Sequence, residues 1–258
     1  MSLQISVSNT VRRLVRGGIA VLLALSLGVP ASAQAPLHVH VLSGSDEYES
    51  EASLKSYRDF LERTYDVTVT ASWVHDGAQD LPGLEHVPDA DLLLVFARRL
   101  KLPDQQMDIL RRHWEQGKPI VGLRTASHAF RESTNQVFDH EVLGGNYQGH
   151  FDDSPVQVRP VVETHPVLEG VQPFVSRKLY KAGDLADDAT VLQTGTTETE
   201  DGEHTHPVTW THRYHGGRTV YTSLGVPEDF RTQSFRRFLT NALFWAAERA
   251  PSTYRKTP

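Results

Sequence analysis

The sequence predicts an α/β protein built on a doubly wound, mostly parallel sheet with a small additional antiparallel element. Three observations carry this. Apolar runs too short for helices, Leu92 to Phe96 and Ile120 to Leu123, lack the alternation of a half-exposed strand and fit strands covered on both faces. Segments with apolar residues at helical spacing, or long crossovers, separate the strand-like runs, as parallel strands require. The run ending at Leu123 breaks abruptly into Arg124, Thr125, Ser127 and His128, and ligands in open α/β sheets lie beyond the carboxyl ends of the strands.

Leu37 to Leu42, with alternating Val39 and Val41, reads as the first strand, and Ser43 to Ser50 as the polar loop at its carboxyl end. Ser53 to Tyr65 carries Leu54, Tyr57, Phe60 and Leu61 on one helical face. Val67 to Val74 alternates as a second strand, and the turn-rich stretch Asp76 to Pro88 leads to the third, Asp91 to Phe96, which runs on to Arg98-Arg99. Pro103 starts a helix whose buried stripe is Met107, Leu110 and Trp114; Gly117 stops it before Pro119, and the fourth strand follows.

Beyond Phe130 the periodicity weakens. Arg131 to His150 is irregular and ends in Leu143-Gly144-Gly145-Asn146-Tyr147-Gln148-Gly149-His150, where three glycines permit close backbone approach. Val156 to Val162, Thr190 to Thr194, Pro207 to His212 and Arg218 to Ser223 are strand-like, some extending the sheet and others forming a small antiparallel layer. Phe235 to Glu248, with Phe235, Phe238, Leu239, Ala242 and Trp245, is a strongly amphipathic closing helix.

The N-terminus has the three-part layout of a secretory signal: Arg12, Arg13 and Arg16, then an apolar stretch from Ile19 to Val29, then Ala31-Ser32-Ala33. That stretch is well short of the ~20 residues a membrane span needs. Residues 1–33 are therefore assigned to a signal peptide and residues 34–258 to one domain, secreted or periplasmic, beginning at Gln34 and with no stable membrane insertion after signal removal. Thr10-Val11-Arg12-Arg13 only faintly resembles a twin-arginine signal, so the export route stays open. The net charge of −6 becomes more negative when three arginines leave with the signal, and no basic patch interleaved with aromatics speaks for nucleic acid. With no cysteine, disulfides, thiolate metal sites and a cysteine nucleophile are excluded together.

Several stretches in order resemble the ThuA-like (trehalose-utilisation) domain family: Ser43 to Ser50, Phe96 to Arg99, Val121 to Phe130, Val142 to His150 with its Leu-Gly-Gly-x-Tyr-x-Gly-His pattern, and Thr164 to Gly170. Leu179 to Lys181, Pro207 to Thr211 and Gly217 to Gly225 extend the match over nearly the whole chain after the signal. The resemblance implies a flavodoxin-like, class I glutamine amidotransferase-like fold and a link to glycoside and keto-sugar metabolism. Two departures stand out, because relatives often carry His where this chain has Arg124 and Val226. The amidotransferases place a nucleophilic Cys at the strand-end elbow; here there is none, which excludes glutamine hydrolysis by that route.

The candidate chemistry follows from this fold, in which the loop after the first strand faces the elbow. Glu47 is a candidate general base or sugar anchor. Arg98 and Arg124 offer fixed forks of donors to a keto oxygen, carboxylate or diol, Arg124 otherwise pairing with Glu47 or Asp46. His128 and His150 are candidate proton carriers near neutral pH, Thr125 and Ser127 hydrogen-bonding groups, and Tyr147 a stacking wall for a sugar ring. Tyr180 and Lys181 are rim residues, and His165 is better explained by a structural turn than as a ligand. His38-x-His40 lies at the wrong end of its strand for the crevice, His204-x-His206 in an exposed acidic loop, and no spacing identifies a metal. Gly144-Gly145 lacks the spacing of a dinucleotide loop, so no cofactor is expected. The leading expectation is a carbohydrate partner processed by acid/base chemistry, with catalytic Glu47, His128 and His150 and substrate-binding Arg98, Arg124, Thr125, Ser127 and Tyr147. The alternatives are a non-catalytic carbohydrate-binding or interaction domain, and a metal-dependent hydrolase.

Overall fold

A computed structural model describes residues 35–251; the signal-like pattern with its cleavage site and the basic tail after Pro251 lie outside the described residues. The first half alternates strands and helices as β1 (Leu37–Gly44), α1 (Ser50–Thr64), β2 (Val67–Trp73), β3 (Leu92–Ala97), α2 (Asp104–Glu115) and β4 (Ile120–Leu123). An elbow, Arg124–His128, and the short helix α3 (Glu132–Val137) follow. Then come β5 (Tyr147–His150), β6 (Pro155–Pro160), β7 (Phe174–Arg177), β8 (Tyr180–Ala182), β9 (Thr190–Thr199), β10 (Gly202–Tyr214), β11 (Gly217–Thr222) and the closing helix α4 (Gln233–Ala246).

The main sheet has nine strands in the order β2-β1-β3-β4-β11-β10-β9-β6-β7, and β5 and β8 form a separate antiparallel pair. Strands β2, β1, β3, β4 and β11 run parallel, and β10, β9, β6 and β7 continue the same sheet antiparallel. The sheet is therefore mixed, which corrects the expectation of a mostly parallel one. The reason is local. β10 and β11 are joined through His215 and Gly216, at φ 47° and 88°, and a two-residue turn with both φ positive can connect only antiparallel neighbours.

Both faces of the parallel half are covered. Along β3, Leu92, Leu94 and Phe96 enter one core with Leu54, Tyr57 and Leu61 of α1 and Phe235, Phe238 and Leu239 of α4. Leu93, Val95 and Ala97 enter the other with Met107, Leu110 and Trp114 of α2. Because successive strand side chains point to opposite faces, a wholly apolar run is what two cores demand. Parallel register aligns Gly44 with Ala97 and Val95 with Gly122, so the loops after β1, β3 and β4 open on one edge.

Candidate functional site

The loop after β1 folds back as a single 3-10 turn, Asp46–Tyr48, before Glu49, at φ 47°, starts α1. Ser50 secures it, its hydroxyl accepting from Ser45 N–H at 2.9 Å while its own N–H donates to Ser45 O at 3.1 Å. Asp46 and Asp76 exchange backbone N–H to carboxylate bonds of 3.0 and 3.2 Å, and Asp76 then accepts from Arg98 Nη1 at 2.6 Å. Glu47 projects from this turn. Its Oε1 lies 2.6 Å from Lys178 Nζ and its Oε2 3.5 Å from Arg98 Nε. Burial pushes the Glu47 carboxyl up, but hydrogen bonds from Lys178 and Tyr48 and the charges of Lys178 and Arg98 outweigh it and hold the group below the usual range. Glu47 is thus an anion near neutral pH, suited to act as a base rather than as an acid.

Arg124 turns the chain at the end of β4 with φ 46°. Its side chain is fully buried, with the guanidinium between the rings of Tyr48, 4.1 Å to the centroid, and Tyr180, 4.7 Å. Nη1 donates to Ser223 O at 2.6 Å, and Nη2 to Lys178 O at 3.1 Å and Arg177 O at 3.4 Å. This corrects two expectations: the fork does not face the crevice, and it pairs with carbonyls rather than with Glu47 or Asp46. The cation is tolerated there because two aromatic faces and three carbonyl oxygens replace its water. Thr125 and Ser127 are buried as well; Ser127 Oγ donates to Arg124 O at 3.3 Å and lies 3.1 Å from His128 Nδ1. Tyr221 adds its hydroxyl to Arg124 O at 2.8 Å.

His128 is half-buried and stacks on Tyr147 with ring centroids 4.6 Å apart. Burial pushes its imidazole down to about 3, helped by the charges of Arg98, Arg99 and Arg124 and opposed by Glu47. A ring held this low is neutral near pH 7, where it offers a stacking face and a hydrogen-bonding nitrogen. Tyr147 also packs against Tyr180 at 4.8 Å. His150 is exposed at the rim, its Nδ1 2.8 Å from Phe151 O and its ring 6.3 Å from that of Tyr180.

Glu47, Arg98, the elbow, Tyr147 and His150 are thus joined through the aromatic residues between them, with the polar cluster on one side and the stacked rings on the other. Sequence reasoning missed Lys178, Tyr48 and Asp76. Tyr48 adjoins Glu47 and was visible as a neighbour, whereas Lys178 arrives from 131 residues away and carried no local signal. Of the histidines weighed as metal ligands, His38 and His40 bond Thr70 Oγ1 at 2.9 Å each, and His165 Nδ1 accepts from Val167 N–H at 3.2 Å. His204 and His206, read as exposed, are half-buried against Phe151 with ring centroids 4.4 and 5.5 Å from it. Among the described residues, no three of His, Asp and Glu converge in a way that could hold a metal ion. A concavity of about 550 Å³ lined by Pro160, Glu163, His165 and Gln193 shares no residue with the group formed by Glu47, Arg98, His128, Tyr147 and His150. Glu47, Arg98, Lys178 and His128, ionisable groups perturbed by one another's charges, gather together, which makes their cluster the candidate site.

The ThuA family model, described as trehalose utilisation, matches residues 38–246. No curated protein matches the chain. Among solved structures, a ThuA-like protein from Bacteroides uniformis is 18% identical with a TM-score of 0.60, over 85% of this chain and 95% of that one. Another from Parabacteroides merdae is 16% identical with a TM-score of 0.63, over 86% and 93%. Agd3, a carbohydrate deacetylase, is 12% identical with a TM-score of 0.56, over 84% of this chain but 33% of that one. At these identities the likeness is one of fold.

Proposed function

The chain belongs to the ThuA (trehalose utilisation) family, and from that membership we propose that it binds a carbohydrate, a glycoside or keto-sugar, in the crevice at the elbow and processes it by acid/base chemistry. One observation carries the reading: a carboxylate kept ionised by Lys178 and Arg98 lies near enough to the stacked Tyr147 and His128 for its charge to act on both. Sugars present hydroxyls to charged groups and C–H faces to aromatic rings, so such a pairing suits them. Glu47 takes a proton, Arg98 orients an oxygen, and Tyr147 with His128 supports the ring. His150 serves the rim as a second proton carrier. Arg124 and Ser127 hold the elbow from beneath through their bonds to backbone carbonyls.

A non-catalytic carbohydrate-binding domain is the second reading, favoured by the finding that neither Glu47 nor His128 is an acid at neutral pH. Turnover of a broad glycoside panel, trehalose included, separates the two. Loss of turnover with retained binding in Glu47→Gln supports the enzyme; binding without turnover in the parent supports the binder. The proposal includes export, on the strength of the basic, apolar and small-residue pattern at the N-terminus.

A further inference from the structure

Asp139 sits in the π-helical turn Phe138–Val142, 4% exposed, and the chemistry proposed above makes no use of it. Its Oδ2 accepts the Tyr147 N–H at 2.9 Å, and its backbone carbonyl accepts the Gly145 N–H at 2.8 Å. Its Oδ1 has no hydrogen-bond partner. With Ser127, Tyr147, Trp210 and Tyr221 it lines a cavity of about 10 Å³, room for one water at most, so little solvent screens the carboxyl. Gly145 is required beside it, because a Cβ there would fall 2.9 Å from both Asp139 Oδ1 and the Trp210 ring. A single hydrogen bond therefore joins a buried carboxyl to the residue whose ring stacks on His128 at 4.6 Å.

We propose that Asp139 is a proton-linked positioning residue: its ionised carboxylate holds Tyr147 against His128, and its protonation releases that pair, so the aromatic wall of the crevice answers to pH. A charged acceptor makes the shorter and stronger bond to an N–H, and a neutral carboxyl the weaker one. Burial pushes Asp139 up to about 6, against the opposing effects of the Tyr147 N–H and the charge of His140, so the switch falls just below neutrality. The ionisable groups facing Asp139 are His140 on its own turn, Tyr147 on β5 and Tyr221 on β11; Tyr180 and Lys181 on β8 line the same cavity, and His212 on β10 lies 2.8 Å from the Glu141 carbonyl of that turn. Burial pushes Tyr147 and Tyr221 up and His128 down to about 3, so these three stay uncharged while Asp139 titrates. His140 is exposed beside it and is separated by the test.

The inference rests on the proposed crevice only in that Tyr147 and His128 form its wall, and the test contains no sugar, so its outcome is independent of carbohydrate binding. Amide and imidazole resonances of the full chain are followed between about pH 4.5 and pH 8. The Tyr147 amide proton and the His128 ring protons should move together, with one inflection near pH 6. Both should be flat in Asp139→Asn, which keeps an oxygen for the Tyr147 N–H, and the shared inflection should persist in His140→Gln. A His128 ring that does not follow the Tyr147 amide overturns the proposal, as does an inflection that survives Asp139→Asn or vanishes in His140→Gln. The titration of the native chain decides the coupling even where a variant does not fold.

Discussion

Lys178 Nζ lies 2.6 Å from Glu47 Oε1 across 131 residues of sequence, and this contact ties the turn between β7 and β8 to the loop after β1. Together with Arg98 it keeps Glu47 ionised near the aromatic wall. In Lys178→Met the Glu47 carboxyl should titrate at higher pH than in the parent, read from carboxyl carbon resonances. Both side chains are partly exposed, so global stability should fall by no more than about 1 kcal/mol. An unmoved Glu47 titration contradicts this coupling.

Arg124 is expected to be structural. Arg124→Ala removes donors from three carbonyls and opens space between Tyr48 and Tyr180, which should cost about 3–5 kcal/mol. Urea denaturation checks it: a loss below about 0.5 kcal/mol, typical of an exposed arginine, contradicts the burial described.

Acid should weaken the fold. His40 is buried and pushed down to about 4, by burial first and then by the charges of His38, His86 and His113. His113 is held at about 4 by burial, against its bond to the Pro119 carbonyl, with the Lys118 charge adding to the lowering. The unfolded chain protonates these rings near 6.5, the folded chain only near 4. Their contribution is therefore intact above about pH 6.5 and is lost as pH falls towards 4, on the order of 3 kcal/mol for each ring. Asp139 acts in the other direction: its raised carboxyl stabilises the fold below 3.8 and loses that effect as pH rises to about 6. His128, held at about 3, adds a third such imidazole, and Asp229, whose carboxyl burial also raises, sides with Asp139; three imidazoles against two carboxyls leave a net loss on acidification. Denaturation curves that are flat or improve from pH 6.5 to pH 4 contradict it.

Gly144→Ala should disturb the loop leading to Tyr147. Gly144 has φ 65°, and a Cβ there would fall 2.6 Å from the His212 ring. Strain and overlap together should cost about 2–3 kcal/mol, seen as a lower thermal midpoint. An unchanged midpoint would show that the loop accommodates a side chain.

The exported form should begin at Gln34. N-terminal sequencing of the protein recovered from an expressing host's envelope or medium checks it, and a retained Arg12-Arg13 contradicts the assignment.

Much of the parallel half was legible, because two physical signals coincide there. Runs such as Leu92 to Phe96 must satisfy two cores at once, and Met107, Leu110 and Trp114 recur at helical spacing. The antiparallel half was less so: β9 and β10 are polar enough at Thr194 to His206 to read as turns, and the strand character comes from neighbours rather than from periodicity. At the site, Glu47 and Tyr147 were readable from the loops that carry them. The burial of Arg124 was not, since an arginine after a strand looks like a surface cation until Tyr48 and Tyr180 are brought around it. Lys178 was invisible for the same reason, being defined wholly by a distant partner.

The most direct test is a crystal of the protein soaked with a glycoside that it binds in solution. The expected result is a sugar ring against Tyr147 and His128 with a hydroxyl within hydrogen-bonding distance of Glu47. A sugar seated instead in the concavity beside His165, with the crevice unaltered, would contradict the assignment of the site.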